Sequence, residues 1–391
     1  MRNFIREERR GKKIKLKLID IEKVFLFQIN NMSSHHYLSF NQDGSCLACS
    51  TEDGFAVYTL PTSSSPLKLR FARNIGGSVG GITLYYRTNL LVCWGGKKYP
   101  CNRVVIWDDL QGKSVFELQY ASEVRNVLMS RDRIVVVLNK SVECYAINED
   151  FRQLRYLEQI PTLDNPLGIC AIQTHSNFPF VLVAPGEEVG TITIRGDGLP
   201  GKTVKAHYHP IQHVALSPNG SYVATASQRG TMIRVFNVET GEKLYEFRRG
   251  IDGATIHSIV FDPETRYLAV SSDHGTVHIF ELLPAIQVSQ TESRIPYWYD
   301  LRSVSTVTLN DPTAKCLLKK DRNILLLFTV GSKGILSCYT YDSTTPLTEG
   351  SFILKEEYNI HNTKEKKEEE DVSGSEISPE KRKEEKEKKE K

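Results

Sequence analysis

The 391-residue sequence predicts an all-β fold, a seven-bladed β-propeller of the WD-repeat-like kind with a disordered, charged C-terminal tail. Three observations support this fold class. Short apolar runs recur about every 45 residues, which is the period of a four-stranded blade. Period-two alternation within the runs favours strands over helices, and clusters of Gly, Pro, Asn and Asp separate them. Seven runs are present, at 37–60, 81–108, 124–147, 168–194, 213–238, 258–282 and 304–341. Six or eight blades stay open as alternatives.

Each run has the same internal plan, which the fifth run illustrates. An apolar strand ends at the turn Ser217-Pro218-Asn219-Gly220, a second strand follows, and a tight turn at Gln228-Arg229-Gly230 leads into a third. Closure of seven such sheets into a ring would protect their edges from pairing with other chains. The irregular stretch 284–303 is predicted to be a long loop between the outer strands of the sixth blade, or the connection into the seventh.

Charge and composition divide the chain into three parts. Residues 1–25 are a basic extension or a first strand, since the first 23 residues carry nine Lys or Arg against four Asp or Glu. Residues 26–345 are assigned to the propeller. Residues 346–391 are assigned to a Lys/Glu-rich tail, largely disordered, because such a segment cannot bury enough apolar surface to offset its ordering entropy.

The same survey predicts a cytoplasmic protein that meets membranes only peripherally. No stretch reaches the roughly 20 apolar residues that a bilayer span needs, and the N-terminus lacks the apolar core of a signal peptide. The eight cysteines are scattered rather than arranged as a disulfide framework, which fits a reducing compartment.

Enzyme motifs are weak in this sequence. Gly76-Gly77-Ser78-Val79-Gly80 matches G-x-S-x-G, but that motif needs a strand–turn–helix, whereas here it links two predicted blades. These glycines do not lead into Gly-Lys-Ser/Thr, so they are not a phosphate-binding P-loop. No nucleophile has a plausible base partner. We therefore predict that the protein is not an enzyme and has no cofactor.

Metal and nucleic-acid sites are also not supported. Cys46 and Cys49 lack a second cysteine pair, and strand positions i and i+3 face opposite sides. No carboxylate or cysteine completes a site around His207, His209 and His213. The basic N-terminus and the tail carry no interleaved aromatic side chains for stacking on bases. We predict neither a metal nor a nucleic-acid partner.

The segment that stands out is Phe247-Arg248-Arg249-Gly250. Adjacent residues of an extended chain project to opposite sides, so the two guanidiniums should enter different neighbourhoods, and Gly250 should let the chain turn away. The first neighbourhood offers His207, Thr225, Ser227, Arg229, Thr231 and Arg234. The second offers Thr255, His257, Ser271, Ser272, His274, Thr276 and His278. Arginine forks among small hydroxyls suit a phosphate monoester. The alternative is a hydrogen-bond network that only locks strands together, with solvated arginines beside it.

These residues also carry a family resemblance. The sequence resembles the PROPPIN family, the phosphoinositide-binding β-propellers of autophagy that include the WIPI proteins, from about residue 37 to 280 and more weakly to 341. The most specific stretches are 224–236, 244–250 and 270–280, while 105–109 and 164–168 resemble the shorter-looped, WIPI3/WIPI4-type branch.

The resemblance implies one headgroup pocket on each side of the arginine pair. The first neighbourhood with Arg248 and the second with Arg249 would bind phosphatidylinositol 3-phosphate and 3,5-bisphosphate. Arg229 and His274 stand where lysine is common in the family. The main alternative is a propeller scaffold that binds only proteins.

Two further surfaces follow from the resemblance. Ile295, Tyr297, Trp298 and Tyr299 would enter the bilayer interface, or else would begin the next strand and pack inward. The turn at Asn41 and Asp43 resembles the family surface that contacts an autophagic lipid-transfer protein, although an ordinary hairpin turn explains it equally well. The resemblance further implies a monomer that is recruited to the phagophore assembly site and to endosomal or vacuolar/lysosomal membranes.

Overall fold

The computed structural model describes residues 37–148, 151, 153–175, 177–282 and 301–360. These residues form seven antiparallel sheets, each of four strands that follow one another along the chain. The predicted all-β, seven-bladed propeller is thereby confirmed. Within the described ranges, no helix has the length and apolar character that a membrane crossing requires.

The strands are numbered β1 to β28 in chain order, four to a blade. The first three blades contain β1 (Leu38–Phe40), β2 (Cys46–Ser50), β3 (Gly54–Thr59), β4 (Lys68–Asn74), β5 (Gly81–Leu84), β6 (Leu90–Trp94), β7 (Arg103–Asp108), β8 (Lys113–Gln119), β9 (Val124–Met129), β10 (Arg133–Leu138), β11 (Ser141–Ile147) and β12 (Leu154–Pro161). The fourth and fifth contain β13 (Ala171–Ile172), β14 (Val181–Pro185), β15 (Thr191–Gly196), β16 (Lys202–Lys205), β17 (Ile211–Leu216), β18 (Tyr222–Ser227), β19 (Met232–Asn237) and β20 (Lys243–Arg248). The sixth and seventh contain β21 (Ile256–Phe261), β22 (Tyr267–Ser272), β23 (Thr276–Glu281), β24 (Ser305–Thr308), β25 (Lys315–Asp321), β26 (Ile324–Val330), β27 (Ile335–Asp342) and β28 (Ile353–Asn359).

The hydrophobic core is divided among the interfaces between neighbouring blades. Between the fifth and sixth blades, for example, Phe247 packs with Ile259 and Phe280. Because the sheets are covered on both faces, their middle strands are buried throughout, as in β22, where all six residues are buried. Burial of these faces is the main stabilising contribution to the propeller.

The ring closes between the seventh blade and the first. Leu47 and Phe328 belong to one buried cluster that joins these two blades. The Tyr58 hydroxyl donates to the Ile360 carbonyl at 2.8 Å, and the Lys315 ammonium donates to the Leu38 carbonyl at 2.9 Å. The contacts therefore run around the whole ring, as closure of a propeller requires.

Two sequence-based boundaries are wrong. The predicted seventh run began at residue 304, but β24 pairs with β23 and is the outer strand of the sixth blade. The stretch 284–303 is accordingly a connection between the two outer strands of one blade, the first of the two alternatives. The propeller also continues past residue 345, because β28 completes the seventh blade. That strand was missed because it is an exposed edge strand rich in Lys and Glu, like the tail. Residues 1–36 and 361–391 lie outside the described residues.

One face of the disc carries the site discussed below. In four antiparallel strands, the turn between the second and third strands lies at the same end as the link to the next blade. These two kinds of segment contact each other: the Ala254 amide, in a link, donates to the carbonyl of Arg229, in a turn. We call the surface formed by the links and these turns the link face.

Candidate functional site

The arginine pair lies at the outer end of the fifth blade, where β20 reaches the link face. The Arg248 amide donates to the Leu301 carbonyl at 2.8 Å, and Phe247 forms a parallel bridge with Leu301. The chain that follows the long connection of the sixth blade thus returns alongside β20. The pair is thereby fixed at the boundary between the fifth and sixth blades.

Strand alternation directs consecutive side chains of β20 to opposite interfaces. Glu246 pairs with Arg234 and Arg248 pairs with Met232, so Glu246 and Arg248 share the face that is turned towards the fourth blade. Phe247 packs on the other side, towards the sixth blade. Arg249 follows and contacts His274 of the sixth blade. The two arginines therefore belong to different neighbourhoods of the structure.

An ion pair dominates the first neighbourhood. The Arg234 Nε donates to Glu246 Oε2 at 2.7 Å, and its Nη1 donates to the Ala206 carbonyl at 2.7 Å. The Lys243 ammonium contacts the same Glu246 oxygen at 2.6 Å. Although burial opposes ionisation, the hydrogen bond from Lys243 and the charge of Arg234 hold the pKa of Glu246 below its usual value. The Glu246 carboxylate thus partly neutralises the positive charges of Arg234 and Lys243.

His207 and Thr225 are buried beneath that ion pair. The two side chains contact each other at 2.9 Å, from His207 Nε2 to Thr225 Oγ1, while the Thr225 hydroxyl donates to the Arg234 carbonyl at 3.2 Å. Because the hydroxyl proton is used, the His207 Nε2 must donate. Burial, and then the charge of Arg234, lower the pKa of His207 to about 4. This imidazole is therefore uncharged near neutral pH.

The turn between β18 and β19 brings the remaining predicted residues of the first side to the link face. Ser227 and Thr231 are buried at its two ends, and Arg229 is exposed at its tip. Gly230 has a φ of +63° in the left-handed region, and a Cβ there would lie 1.9 Å from the Ala254 carbonyl oxygen. Gly250, in contrast, has open space around it. The glycine that the site requires is therefore Gly230 and not Gly250, as the sequence had suggested.

Arg249 is the central residue of the second neighbourhood. Its side chain is buried, with 5% exposure of the residue. Its Nε donates to the Gly230 carbonyl at 2.8 Å and its Nη2 to the Asp252 carbonyl at 2.5 Å, while Nη1 lies 3.3 Å from His274 Nδ1. Burial lowers the pKa of Arg249, and the charges of Asp273 and Asp252 oppose this. The guanidinium thus joins the turns of two blades and the link between them.

A group of small polar side chains lies on the sixth blade, on the sheet face turned towards the fifth. Ser272 pairs with Thr276 across β22 and β23, and the next position on that face is His278. His278 Nε2 lies 3.3 Å from Thr276 Oγ1 and its Nδ1 lies 3.2 Å from Ser303 Oγ. Burial, and then the charge of Arg249, lower the pKa of His278 to about 4. The buried Ser272 hydroxyl has no hydrogen-bond partner in the described part of the chain, which is unusual for a buried polar group.

Two predicted residues of the second side, Ser271 and His257, are placed differently, towards the seventh blade. The Ser271 hydroxyl donates to the Ala314 carbonyl at 2.6 Å, so it faces the seventh blade. Burial lowers the pKa of His257, and the charges that act on it are Asp273 of the sixth blade, Asp311 of the link to the seventh blade and Lys315 of the seventh blade. Thr255 precedes β21, and its carbonyl accepts the Asp273 amide. Ser271 and Ser272 are adjacent in β22, and adjacent side chains of a strand face opposite sides, so the two serines do not share a neighbourhood.

The turn that contains Asn41 and Asp43 also has a partly structural role. The Asn41 side chain is buried, and its Oδ1 accepts the Ser45 and Cys46 amides at 2.9 and 2.8 Å. Asp43 is exposed. The aromatic segment with Ile295, Tyr297, Trp298 and Tyr299 lies outside the described residues.

Glu246 and Asp252 are the site residues that the sequence reasoning missed. Both stand within a few positions of the arginine pair, but a carboxylate near an arginine gives no signal of which arginine it contacts. Pairing of Glu246 with Arg234 depends on the register of two strands. Among the described residues, Cys46 and Cys49 are buried free thiols, and no group of three or more His, Cys, Asp or Glu could hold a metal ion.

The fold and the site together define a closed seven-bladed propeller with two polar neighbourhoods, one on either side of an arginine pair. Comparison with known proteins agrees. The family model described as PROPPIN matches residues 34–322. The chain belongs to the PROPPIN family, the phosphoinositide-binding β-propellers of autophagy, which serve as non-enzymatic binding scaffolds.

Individual relatives extend this assignment. The chain is 37% identical over 259 residues to SVP1-like protein 2 of Pichia angusta, covering 63% of this chain and 69% of that protein. It is 31% identical over 316 residues to SVP1-like protein 2 of Saccharomyces cerevisiae, covering 71% and 69%. The solved structure of Kluyveromyces lactis Hsv2 with a complete loop 6CD superposes with a TM-score of 0.68 at 25% identity, covering 83% of this chain and 99% of that one.

Proposed function

We propose that this protein binds phosphatidylinositol 3-phosphate and 3,5-bisphosphate through two pockets that flank Phe247-Arg248-Arg249-Gly250, and that it acts as a scaffold on autophagic membranes. The observation that carries this proposal is the divergence of the two arginines to opposite sides of β20. In the proposal, each side forms an inter-blade groove. Each groove would offer charge-assisted donors to one phosphorylated inositol ring.

The second groove has the more complete set of donors. Arg249 is held by backbone carbonyls, so little side-chain entropy is lost when an anion arrives. A guanidinium has five N–H donors, and the contacts of Arg249 with described residues engage three of them. The Ser272 hydroxyl supplies a further buried donor that lacks a partner among the described residues. A phosphate oxygen would satisfy both groups.

The first groove relies on charge at its rim. Arg229 is exposed, and Arg234 and Arg248 are half-buried, whereas His207 and Thr225 hydrogen-bond to each other below the surface. His207 would position Thr225 and the Arg234 backbone rather than contact the lipid with a positive charge. Two pockets on one rigid body bind bivalently, because occupancy of one raises the effective lipid concentration at the other.

Partner and location follow the family in this proposal. Exposed Asp43, rather than buried Asn41, would contact an autophagic lipid-transfer protein from the first blade. The monomeric protein would be recruited from the cytoplasm to the phagophore assembly site or to endosomal and vacuolar/lysosomal membranes. Both the grooves and Asp43 would then be occupied at once, because they lie on different blades.

Flotation with vesicles of defined composition tests the lipid proposal. Phosphatidylcholine vesicles containing phosphatidylinositol 3-phosphate or 3,5-bisphosphate are expected to float the wild type, while the Arg248→Thr/Arg249→Thr variant stays in the dense fraction. The Lys97→Thr/Lys98→Thr variant is the matched control. It also removes two adjacent cations, which are exposed on the link face of the second blade. Binding should weaken as the salt concentration rises.

Three outcomes discriminate between the functions. Undiminished flotation of the double-arginine variant would contradict the two-pocket proposal. Equal loss in the two double variants would indicate nonspecific attraction between charges. An intact protein that ignores every phosphoinositide vesicle but binds a purified lipid-transfer protein would instead support the protein-only scaffold.

A further inference from the structure

Among the described residues, the exposed large apolar side chains of the link face are confined to one arc. Five of them stand on the links and turns between the third and sixth blades: Leu163, Leu167, Val189, Tyr208 and Ile251. Tyr208 and Ile251 are the most exposed of the five, at 85% and 79%. Single exposed apolar side chains are common on protein surfaces, so the significance of these two depends on what surrounds them.

The loops that carry Tyr208 and Ile251 are fixed on either side of Arg229. The His207 amide donates to the Gly190 carbonyl, and the Gln228 amide donates to the Pro210 carbonyl at 2.9 Å. On the other side of the turn, the Ala254 amide donates to the Arg229 carbonyl at 3.1 Å. The order along the link face is therefore Tyr208, Arg229 and Ile251, with every step joined by backbone hydrogen bonds.

The rest of the link face has a different surface. In the seventh, first and second blades, the turns between second and third strands contain Ser332 and Lys333, Glu52 and Asp53, and Lys97 and Lys98. The links before and after the first blade carry no exposed large apolar side chain among the described residues. The apolar arc thus coincides with the blades that hold the arginine pair.

We propose that Tyr208 and Ile251 enter the headgroup boundary of a bilayer that carries phosphoinositides. This inference rests on the proposed function and extends it. Tyrosine has an apolar ring and a polar tip, which suits the membrane interface. Exposed Arg229 lies between the two anchors and Lys205 stands just before them, so cations would meet the anionic lipid that surrounds the headgroup pockets.

The arrangement fits a bilayer better than a protein partner. The two apolar side chains stand on separate loops, with a charged residue between them. A fluid lipid interface can accommodate separated apolar side chains, whereas a protein surface would need a complementary pocket for each of them. Insertion of both would tilt the disc so that its link face approaches the membrane between the fourth and sixth blades.

Vesicle titration of matched variants tests the anchors. Tyr208→Ser/Ile251→Ser should weaken binding to phosphatidylinositol 3-phosphate vesicles about tenfold, because the interfacial burial of two large side chains is lost. Its affinity for a soluble, short-chain phosphatidylinositol 3-phosphate should stay equal to that of the wild type. Leu110→Ser is the control, since Leu110 is 83% exposed on the turn between β7 and β8, on the opposite face.

A site-specific probe reports insertion directly. An environment-sensitive fluorophore is attached to Ile251→Cys in a Cys101→Ser background, because Cys101 is the exposed one of the eight free cysteines. Addition of phosphatidylinositol 3-phosphate vesicles should shift its emission to the blue, and nitroxide-labelled lipid should quench it. The same probe at Leu110→Cys should show neither change.

The outcomes separate this inference from the function on which it rests. Vesicle binding without a shift or quenching at position 251 would overturn the anchors and leave the lipid function intact. Unchanged vesicle affinity of Tyr208→Ser/Ile251→Ser would do the same. If the wild type binds neither the soluble lipid nor the vesicles, the proposed function itself fails, and the anchors fail with it.

Discussion

The two neighbourhoods beside β20 use arginine in opposite ways. On the side of the fourth blade, Arg234 forms an ion pair with Glu246, and the exposed Arg229 carries charge at the rim. On the side of the sixth blade, Arg249 is buried and its hydrogen bonds go to backbone carbonyls and a histidine. In the first neighbourhood, the Glu246 carboxylate offsets the charge of Arg234. In the second, backbone carbonyls fix the orientation of the Arg249 guanidinium before any ligand binds. Removing an arginine should therefore have different consequences on the two sides.

The largest expected difference concerns stability. Arg249→Thr should lower the free energy of unfolding by about 2–4 kcal/mol, because the Gly230 and Asp252 carbonyls lose their donor. Arg248→Thr should change it by less than about 1 kcal/mol, since Arg248 is half-buried at a strand end. Urea unfolding measures both, and Arg249→Lys should recover part of the loss. Equal stabilities of the two threonine variants would remove the contrast.

Acid sensitivity should be shared by the two sides. His207 and His278, one in each neighbourhood, have pKa values lowered to about 4, against about 6.5 in the unfolded chain. Between these values the unfolded state binds protons that the folded state does not, so stability falls as the pH drops from about 6.5 and levels off below about 4. Each histidine should account for about 2 kcal/mol by pH 4.5.

Thermal unfolding as a function of pH checks this expectation. His207→Gln and His278→Gln should each flatten the acid slope relative to the wild type. An exposed residue, His209, provides the control through His209→Gln, which should leave the slope unchanged. A slope that is unaffected by both test variants would show that neither histidine stays neutral in the folded protein.

Adjacent serines offer a sharper test of the second groove. Ser271→Ala should cost about 1 kcal/mol of stability, because its bond to the Ala314 carbonyl is lost, and should not change lipid affinity. Ser272→Ala should leave stability nearly unchanged, because no hydrogen bond of its hydroxyl is lost among the described residues, yet it should weaken lipid binding severalfold. Parallel measurement of unfolding and vesicle affinity is required. The reverse pattern would place the lipid on the seventh-blade side.

The smallest expected effect lies in the first groove. Glu246→Gln should strengthen vesicle binding about threefold, because Arg234 and Lys243 would no longer be neutralised by a carboxylate. Glu281→Gln is the matched control, since Glu281 pairs with Arg266 on the sixth blade. A loss of affinity in Glu246→Gln would indicate that this carboxylate holds Arg234 in the orientation that the lipid needs.

The blade count and the position of the arginine pair could be predicted from the sequence because they depend on local regularities. Apolar runs at a constant spacing indicate the blades, and strand alternation predicts that neighbours such as Arg248 and Arg249 diverge. Local patterns do not identify a strand whose composition is that of a charged tail, such as β28. They also do not show which of two glycines, Gly230 or Gly250, lies against a neighbouring backbone.

The sequence by itself determined the propeller, its family and the segment around which the site is built. Only the tertiary structure decided which partner each polar group meets: Glu246 for Arg234, the Gly230 carbonyl for Arg249, and the seventh blade for Ser271. The physical reason is the range of the interactions. Repeat period and alternation act between residues close in the chain, whereas these contacts depend on strand register and on the packing of one blade against the next.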